Sequence, residues 1–371
     1  MASQEQEPAA PAGGGKIALI NARVFDGQVL DFDSIVVIDN GLISTDTSGA
    51  RIVDCAGGVL LPGLIDAHVH LDGPGRLQAL ASYGVTTVLD MASVPEETAK
   101  LRGSGGQADF RTAGIPAIAP GSLHSHFPGI GQRGLISGPD EAAQFVADRI
   151  ADGSDFIKIV IGSPFADHDQ ATVDALVAAA HASGMSVVAH ASSVAAVGKA
   201  LAAGADILTH APLDAPLDPL TAAEMAAAGR VVVPTLTMMD AIVANVAPPG
   251  AAYANARASV RLMHEAGVPI LAGTDANDAP GTPSRVPHGD SLHRELELLA
   301  DAGLSPLEVL LAATARTARY FGLTDRGTIE PGKRADLILV EEDPLADIRA
   351  TRSILRIWCG GVEHAPAEPR R

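Results

Sequence analysis

Six polar side chains interrupt the ends of apolar segments, and all are of types that bind metal ions. The segment GLIDAHVHL places His68 and His70 one residue apart, and side chains at positions i and i+2 of a strand share a face. One such pair is only a weak indication of a metal. Four other residues interrupt apolar strand ends in the same way: Lys158, His190, His210 and Asp275. Three neutral imidazoles and a carboxylate are ordinary zinc ligands, so a fourth imidazole and a lysine are too many for one tetrahedral ion.

Lys158 is the most informative of these residues. It lies in FIKIVIG, a segment that we expect to be buried on both faces, where an unpaired ammonium costs several kcal/mol. Two structural interpretations remain open, in which the side chain either extends to the rim of the fold or pairs with Asp155. The third is that burial favours the neutral amine, which reacts with carbon dioxide to form a carbamate. This anionic group can bridge two metal ions, so the third interpretation predicts a carboxylated lysine.

A repeating pattern of short β-branched segments and Ala-rich helices positions these residues. Each helix-like segment usually ends at a glycine, as in 138–153, 169–184 and 219–229. The strand candidates are residues 64–70, 85–91, 115–121, 155–161, 185–191, 205–211, 230–236 and 268–275. Eight parallel βα units predict an α/β fold, a (β/α)8 TIM barrel, whose active site lies at the carboxyl ends of the strands. A doubly wound open sheet is the alternative, but no glycine-rich nucleotide motif follows the first strand.

The two ends of the chain have a different pattern. Short strands separated by Asn-Gly and Gly-Gly turns precede the repeat and return after it. We predict that residues 16–60 and 323–371 form one small β-sandwich, with the barrel, residues 61–322, inserted within it. Residues 1–15, which are rich in Ala, Pro and Gly and resemble no export signal, are predicted to be a disordered tail.

Composition excludes several classes of function. The 371 residues include 26 Lys and Arg against 44 Asp and Glu, a net charge of −18, which disfavours nucleic acid as a partner. No apolar run approaches the length of a membrane span, so we expect a cytoplasmic protein with a small-molecule substrate. Two cysteines, Cys55 and Cys359, are too few for a disulfide framework and are predicted to be buried thiols. The Ala-rich helices suit a homo-oligomer and a monomer equally well.

The chain resembles the amidohydrolase superfamily of metal-dependent hydrolases over nearly its whole length. The resemblance is carried by LLPGLIDAHVHL, by LAGTDAN and by the closing stretch ATARTARYFGLTDRGTIEPGKRADLILVEEDPLADI. It implies the two-metal subtype, with two divalent ions that are expected to be zinc. By this resemblance, His68 and His70 bind the more buried ion, and His190 and His210 bind the more exposed one. Lys158 would be the carboxylated bridging lysine and Asp275 the aspartate of the eighth strand.

Within the superfamily, the chain is similar to the imidazolonepropionase-like branch, which includes metal-dependent prolidases and ochratoxinase. The similarity lies in VVAH and ILTH, whose histidines are 20 residues apart, and in HGDSLHRELELL after the eighth strand. The chain also departs from this branch. Ser192 stands where several of the peptidases have a second histidine, and LHSHFPGI follows the third strand where relatives have a glycine-rich loop. These differences do not change the predicted metal ligands, but they leave the identity of the substrate open.

The implied reaction is hydrolysis by a hydroxide that bridges the two ions. We predict that Asp275 acts as general base and then as general acid, and that His210 is catalytic through the ion that polarises the carbonyl. The expected substrate is a small amide with an apolar part, such as a dipeptide or N-acyl amino acid. The enzyme would then act on carbon–nitrogen bonds other than the ordinary peptide bonds of proteins.

Further residues near the predicted mouth are candidates for substrate binding: His124, His126, Phe127, Phe165, Met238, Arg285 and His288. Met239 belongs with Met238 and the phenylalanines in a predicted apolar wall. Arg285 has the charge to pair with a substrate carboxylate. In contrast, His168, His181, His264 and His364 are expected to be surface residues.

Three other functions remain open from the sequence. The same centre suits a lactonase or carbamate esterase, because its hydroxide attacks any carbonyl of suitable shape. A mononuclear deaminase is less favoured, since such relatives typically lack the lysine ligand, and imidazolonepropionase activity is disfavoured on the same ground. A non-catalytic scaffold of the same fold is the third alternative, although all six ligand positions are filled here.

Overall fold

The structure of the protein is a computed structural model that describes residues 15–32, 34–73, 75–103, 105–127, 132–278, 282 and 284–367. Most of the predicted tail, residues 1–14, therefore lies outside the described residues. The strands are β1 (Ile17–Ile20), β2 (Arg23–Phe25), β3 (Leu30–Asp31), β4 (Val36–Asp39), β5 (Leu42–Ser44), β6 (Arg51–Asp54), β7 (Val59–Pro62), β8 (Leu64–Val69), β9 (Val85–Asp90), β10 (Asp109–Thr112), β11 (Ile157–Ile161), β12 (Val187–Ala191), β13 (Ile207–Thr209), β14 (Val231–Val233), β15 (Leu337–Val340), β16 (Ile354–Cys359) and β17 (Val362–His364). The helices are α1 (Arg76–Ala81), α2 (Pro95–Thr98), α3 (Ala142–Ala151), α4 (Gln170–Ala182), α5 (Val194–Ala203), α6 (Pro219–Ala227), α7 (Leu236–Asn245), α8 (Tyr253–Glu265), α9 (Asp290–Asp301), α10 (Pro306–Ala312) and α11 (Ala315–Tyr320).

Parallel strands that alternate with helices form the larger part of the protein, as in a TIM-barrel-like α/β fold. One parallel sheet has the order β10-β9-β8 and the other the order β11-β12-β13-β14. Parallel bridges extend both sheets, between Ala117 and Ile159, between Val232 and Ile270, and between Val69 and Ala276. Strands β8, β9 and β11 are buried at every position, as expected for strands that are covered on both faces.

The helices follow from local signals in the sequence. α4 begins after Asp169, whose side chain accepts a hydrogen bond from the backbone N–H of Thr172, and it ends just before Gly184. Gly184 has a φ of 72°, the left-handed conformation that favours glycine after a helix. The helices predicted within 138–153, 169–184 and 219–229 are therefore confirmed as α3, α4 and α6.

The third strand differs from its prediction. We expect it over 115–121, but the regular strand is β10, which pairs in parallel with β9. Residues 115–121 contribute only single bridges, from Ala117 and Ile118, to Ile159 and Leu135. The reason is that Pro116 and Pro120 lack the backbone N–H that a regular strand donates to its neighbour. The predicted strand 268–275 is similarly irregular and joins its neighbours through a few hydrogen bonds.

The two ends of the chain meet in two further sheets. The four-stranded sheet has the order β5-β4-β1-β6, and the six-stranded sheet has the order β17-β16-β15-β7-β2-β3. Apolar side chains from both sheets share one buried cluster, which includes Leu19, Ile38, Leu60, Leu339 and Trp358. β7 extends two residues past the predicted boundary at position 60.

Cys55 and Cys359 are both buried and free, which confirms the prediction of structural thiols. Among the described residues, no helix combines the length and the apolar character needed to cross a bilayer.

Candidate metal centre

Most of the predicted ligands come from the carboxyl ends of parallel strands, whereas Lys158 is the second residue of β11. His68 lies near the end of β8 and His70 directly follows it, whereas Lys158 and His190 lie within β11 and β12. His210 directly follows β13, and Asp275 lies in the segment that bridges β14 to β8. Because these strands are parallel neighbours, their ends meet at one edge. The structure therefore brings together side chains that are up to 207 residues apart in the sequence.

Asp275 lies at the centre of the group. One of its carboxylate oxygens, Oδ1, is 2.9 Å from Nε2 of His70 and 3.4 Å from Nε2 of His68. The other oxygen, Oδ2, is 3.9 Å from Nδ1 of His210. The imidazole rings of His190 and His210 have centroids 4.2 Å apart, and those of His68 and His210 are 5.0 Å apart. The four imidazoles thus form one continuous cluster around the carboxylate.

The backbone around this cluster has an unusual conformation. His210 has a φ of 75°, Asp275 of 57° and Thr235 of 49°, although none of them is glycine. Such left-handed residues are uncommon, and they collect at functional sites where the surrounding structure holds them in place. The strained positions here are two predicted ligands and a residue that touches one of them.

A buried carboxylate also joins the two strands that carry ligands, and sequence reasoning missed it. Asp66 accepts hydrogen bonds from the backbone N–H groups of His68 and Thr274 and from the Thr274 hydroxyl. Burial raises the pKa of Asp66 to about 7. Asp66 and Thr274 are neighbours of His68 and Asp275, so their hydrogen bonds fix the spacing between these ligands. The Asp in GLIDAHVHL was the available signal.

Burial favours the neutral form of three of the four histidines, His68, His190 and His210. It holds the pKa of His68 and His190 well below the usual range and lowers that of His210 to about 3. Burial also acts on His70, but the hydrogen bond and charge of Asp275 outweigh it and raise its pKa. Burial alone would raise the pKa of Asp275. The hydrogen bond from His70 and the charges of His70, His210 and Lys158 outweigh burial, so the net pKa is lowered. A carboxylate with three neutral imidazoles is a suitable donor set for a divalent metal.

Lys158 faces this cluster from β11. Only 4% of the residue is exposed, and its Nζ donates a hydrogen bond of 2.8 Å to the hydroxyl of Thr209. Burial lowers the pKa of Lys158 to about 7. Its position excludes both structural interpretations, because the side chain does not reach the rim and Asp155 instead contacts Arg102 and Arg111.

The residues fit a metal ion on two observations. Donor atoms of His68, His210 and Asp275 all lie within 4.8 Å of one another. In addition, Nδ1 of His68 is buried and has no hydrogen-bond partner among the described residues, although buried polar atoms are normally satisfied. Neutral imidazole nitrogens and a carboxylate are the ligands that zinc and similar ions accept.

Among the predicted substrate residues, His124 lies nearest to the cluster. Its ring centroid is 5.1 Å from that of His190 and 5.2 Å from that of Phe127. Nδ1 of His124 is 2.7 Å from the hydroxyl of Ser163, and burial lowers the pKa of His124 to about 4. His126 is exposed in the same segment. The remaining residues of LHSHFPGI, 128–130, lie outside the described residues.

The other substrate candidates occupy varied positions. His288 is buried, with Nε2 2.9 Å from the backbone carbonyl of His70. Arg285 is exposed, and Phe165 is 87% exposed in a left-handed conformation. Met238 and Met239 do not form a free wall, because both are packed in the large apolar core at the start of α7. The two methionines are therefore removed from the predicted apolar wall, whereas half-buried Phe127 beside His124 and exposed Phe165 remain candidates for it.

The histidines expected on the surface divide into two groups. His181 pairs with Asp206, and His264 pairs with Glu308, both in partly exposed positions. His168 is different, since it is buried in the loop after β11. The prediction for His168 was wrong, because only 4% of the residue is exposed although its sequence neighbours Asp167 and Asp169 are charged.

Comparisons with known proteins agree with this arrangement. A model of the amidohydrolase family matches residues 59–363. An imidazolonepropionase from Cereibacter sphaeroides is 30% identical over 322 residues, which cover 85% of this chain and 74% of that enzyme. An adenine deaminase from a Methylobacterium species is 26% identical over 95% of this chain, and the match spans 60% of that enzyme's length.

Solved structures are similar over nearly the whole chain. A putative prolidase from Bifidobacterium longum has a TM-score of 0.80 and 26% identity, covering 95% of this chain and 96% of that one. A Xaa-Pro dipeptidase with bound methionine in its active site has a TM-score of 0.81 and 22% identity, covering 95% and 100%. The ochratoxinase of A. niger has a TM-score of 0.76 and 20% identity, covering 95% and 97%. The last two similarities are likenesses of fold.

Proposed function

Because the chain belongs to the amidohydrolase family, we propose that it is a binuclear metal-dependent hydrolase of a small amide. The proposed substrate is a dipeptide, N-acyl amino acid or similar compound with an apolar part. In this proposal, residues 61–322 close into a (β/α)8 barrel, and the two flanking sheets pack as a β-sandwich. The active centre then lies at the barrel mouth.

The burial of Lys158 beside the histidine cluster is the observation that carries the proposal. Its amine has Thr209 as a hydrogen-bond partner, and its pKa of about 7 leaves a large neutral fraction at physiological pH. A neutral amine attacks carbon dioxide and loses a proton, which yields a carbamate whose single negative charge is shared by two oxygens. Such a group gives the buried side chain a role that an unpaired ammonium does not have.

The proposed ligand set is the one that the family resemblance implies. His68 and His70 would hold one ion, His190 and His210 would hold the other, and carboxylated Lys158 would be a ligand shared by both. Asp275 belongs with the first pair, because its Oδ1 lies near the Nε2 atoms of both residues. The donor types suit zinc, which accepts imidazole nitrogen and carboxylate oxygen.

In the proposed reaction, the residues of this chain orient the reactants and move one proton. A bound divalent ion supplies polarisation of the amide carbonyl and acidifies a nearby water. Asp275, whose lowered pKa keeps it ionised near neutral pH, accepts the proton of the attacking water and delivers it to the leaving nitrogen. The neutral His124, held by Ser163, is placed to contact the substrate beside His190.

Two kinds of observation support the proposed substrate class: the activities of similar proteins, and the side chains expected at the mouth of the proposed barrel. A putative prolidase and a Xaa-Pro dipeptidase are among the similar structures. Phe165 presents an exposed aromatic ring to an apolar group, and exposed Arg285 has the charge to hold a carboxylate. A short N-acylated or dipeptide substrate with one carboxylate satisfies both residues.

A second candidate is a mononuclear deaminase. It is favoured by one observation, that the donor atoms of His68, His210 and Asp275 lie within 4.8 Å of one another and suit a single ion. The adenine deaminase relative is consistent with it. In this alternative, Lys158 binds no metal and only donates its hydrogen bond to Thr209.

Metal content distinguishes the two candidates. Elemental analysis of the wild type is compared with Lys158→Ala and with Lys333→Ala, a matched control whose Nζ also donates to a threonine hydroxyl, that of Thr328. We expect two ions per chain in the wild type and the control, and one or fewer in Lys158→Ala. The same proteins are assayed on Xaa-Pro dipeptides, N-acyl amino acids, lactones and adenine.

Amide hydrolysis that is lost with the second ion supports the binuclear hydrolase. Cleavage of lactones in preference to amides would replace the substrate class but retain the centre. One ion in all three proteins, with ammonia released from adenine, would refute the carbamate and establish the deaminase.

A further inference from the structure

Thr235 occupies a conformation that needs an explanation. It is fully buried between β14 and α7, and its φ of 49° and ψ of 46° lie in the left-handed region. For a β-branched residue this conformation is a genuine outlier and is unfavourable. The surrounding structure must therefore hold Thr235 there.

In this conformation, the hydroxyl of Thr235 does not cap the start of α7. Thr235 precedes the first residue of α7, where a threonine hydroxyl normally accepts a hydrogen bond from the helix N-terminus. Here it makes no such bond. Its Oγ1 instead lies 2.8 Å from Nδ1 of His210, which is closer than the carboxylate of Asp275 at 3.9 Å.

A carboxylate from another helix performs the capping in its place. Glu295 of α9 accepts hydrogen bonds from the backbone N–H groups of Leu236 and Thr237, at 2.9 Å and 2.7 Å, and from the Thr237 hydroxyl at 2.8 Å. These N–H groups are the ones that a helix leaves unsatisfied at its start. Glu295 is fully buried, so the protein accepts the desolvation of a carboxylate at this point.

We propose that Thr235 and Glu295 are positioning residues that hold His210 in the tautomer that binds metal. Nδ1–H of His210 donates to the Thr235 hydroxyl, which leaves the lone pair on Nε2 free for an ion. Glu295 caps α7 from outside and thereby releases Thr235 for this contact. The inference rests on His210 being a metal ligand, as in the proposed function, but the tautomer is measurable without any metal.

The principle behind this assignment is general. A histidine that binds metal through one ring nitrogen usually donates a hydrogen bond through the other, which fixes the ring and its tautomer. Removing such a partner typically weakens metal affinity about 10- to 100-fold. A partner with a purely structural role would lower stability but would leave the metal affinity and the tautomer unchanged.

The experiment compares four variants with the wild type. Thr235→Val removes the hydroxyl at nearly constant shape, and Thr235→Ser keeps it. Glu295→Gln replaces one acceptor oxygen with an amide NH2 group, a donor that would face a backbone N–H. Thr317→Val is the matched control, because Thr317 is also buried and, within the described part of the chain, its hydroxyl donates to a backbone carbonyl, that of Ala312.

Three quantities are measured on each protein. The rate of zinc loss to a chromogenic chelator reports metal affinity, and thermal unfolding reports stability. The 15N shifts of the histidine ring nitrogens in the metal-free protein report the tautomer, with the His210 signal assigned by its absence from His210→Asn.

We expect zinc loss to be about 10- to 100-fold faster in Thr235→Val and close to wild type in Thr235→Ser and Thr317→Val. Metal-free His210 is expected to be protonated at Nδ1 in the wild type and a mixture of tautomers in Thr235→Val. Glu295→Gln is expected to change both quantities in the same direction.

The inference would be overturned if Thr235→Val lowered the unfolding temperature but kept the wild-type zinc rate and tautomer. If the wild type bound no metal, the proposed function would fail, while the tautomer of His210 would still decide the inference. If Glu295→Gln did not fold, the two Thr235 variants would decide it in the same way.

Discussion

Replacing Gly273 with alanine tests whether the backbone beside the metal centre is as tightly packed as the structure shows. Gly273 is two residues before Asp275. A Cβ atom at this position would lie 2.4 Å from Cγ1 of Val233, 2.9 Å from the backbone nitrogen of His68 and 3.1 Å from the carbonyl carbon of Ala67. Two of these atoms are backbone and cannot rotate away. The segment that carries Asp275 must therefore shift by roughly 1 Å to restore an ordinary contact.

The size of the effect follows from that shift. Overpacking a well-packed interior costs typically about 1–3 kcal/mol, and the backbone contacts favour the upper end, about 3 kcal/mol. With the unfolding entropy expected for 371 residues, this corresponds to a fall of about 4 °C in the unfolding temperature. A displacement of about 1 Å between catalytic groups also lowers activity on the order of 100-fold.

The assay measures thermal unfolding, metal content and hydrolysis of Gly273→Ala beside Gly198→Ala. Gly198 lies within α5, and a Cβ atom there meets nothing within 4 Å, so alanine should stabilise that helix by about 0.5–1 kcal/mol. We therefore expect opposite shifts from the same chemical change. A Gly273→Ala protein with wild-type unfolding temperature and full metal content would refute the packing argument.

Two further predictions concern buried ionisable residues, Arg326 and His293. Arg326→Gln should destabilise the protein by about 1–3 kcal/mol, because it removes the contact of the buried guanidinium with Asp109 at 2.8 Å and leaves Asp109 paired with Arg111 at 3.2 Å; exposed Arg349→Gln is the control and should change stability by less than about 0.5 kcal/mol in the same thermal assay. Burial lowers the pKa of His293 to about 4 from 6.5, so between these values the unfolded chain binds a proton that the folded protein excludes, and the free energy of unfolding falls as the pH is lowered from 6.5 to 4. Urea unfolding across this range should show a smaller fall in His293→Asn than in the wild type or in the surface control His181→Asn; equal falls in all three would contradict the assignment.

Much of the fold was predictable because its signals are local. Apolar periodicity and a terminal glycine predict the helices α3, α4 and α6. Short runs of β-branched residues predict strands such as β9 and β11. The position of the third strand is not predictable from apolar character alone. Residues 115–121 are apolar, but Pro116 and Pro120 lack the backbone N–H groups that regular strand pairing needs. β10, with the sequence DFRT, carries two charged residues and was not a strand candidate.

The candidate site was predictable only in part. His68, His70, His190 and His210 stand out because polar residues are rare at the ends of buried strands. Asp66, Thr235 and Glu295 were missed, since their partners lie far away in sequence, as with Asp66 and Thr274, 208 residues apart. A buried glutamate in a helix and a threonine after a strand are ordinary in sequence, and only their contacts distinguish them.

The six-stranded sheet has a consequence for the synthesis of the protein. β7 pairs on one side with β2 and on the other with β15, so that Pro62 lies opposite Leu337. At the usual rates of elongation, β15 leaves the ribosome on the order of tens of seconds after β7. During that interval, the edge of β7, whose four residues are VLLP, has no strand to pair with on one side. Fragments that end before β15 should therefore aggregate, and chaperone dependence should be greatest for nascent chains of that length.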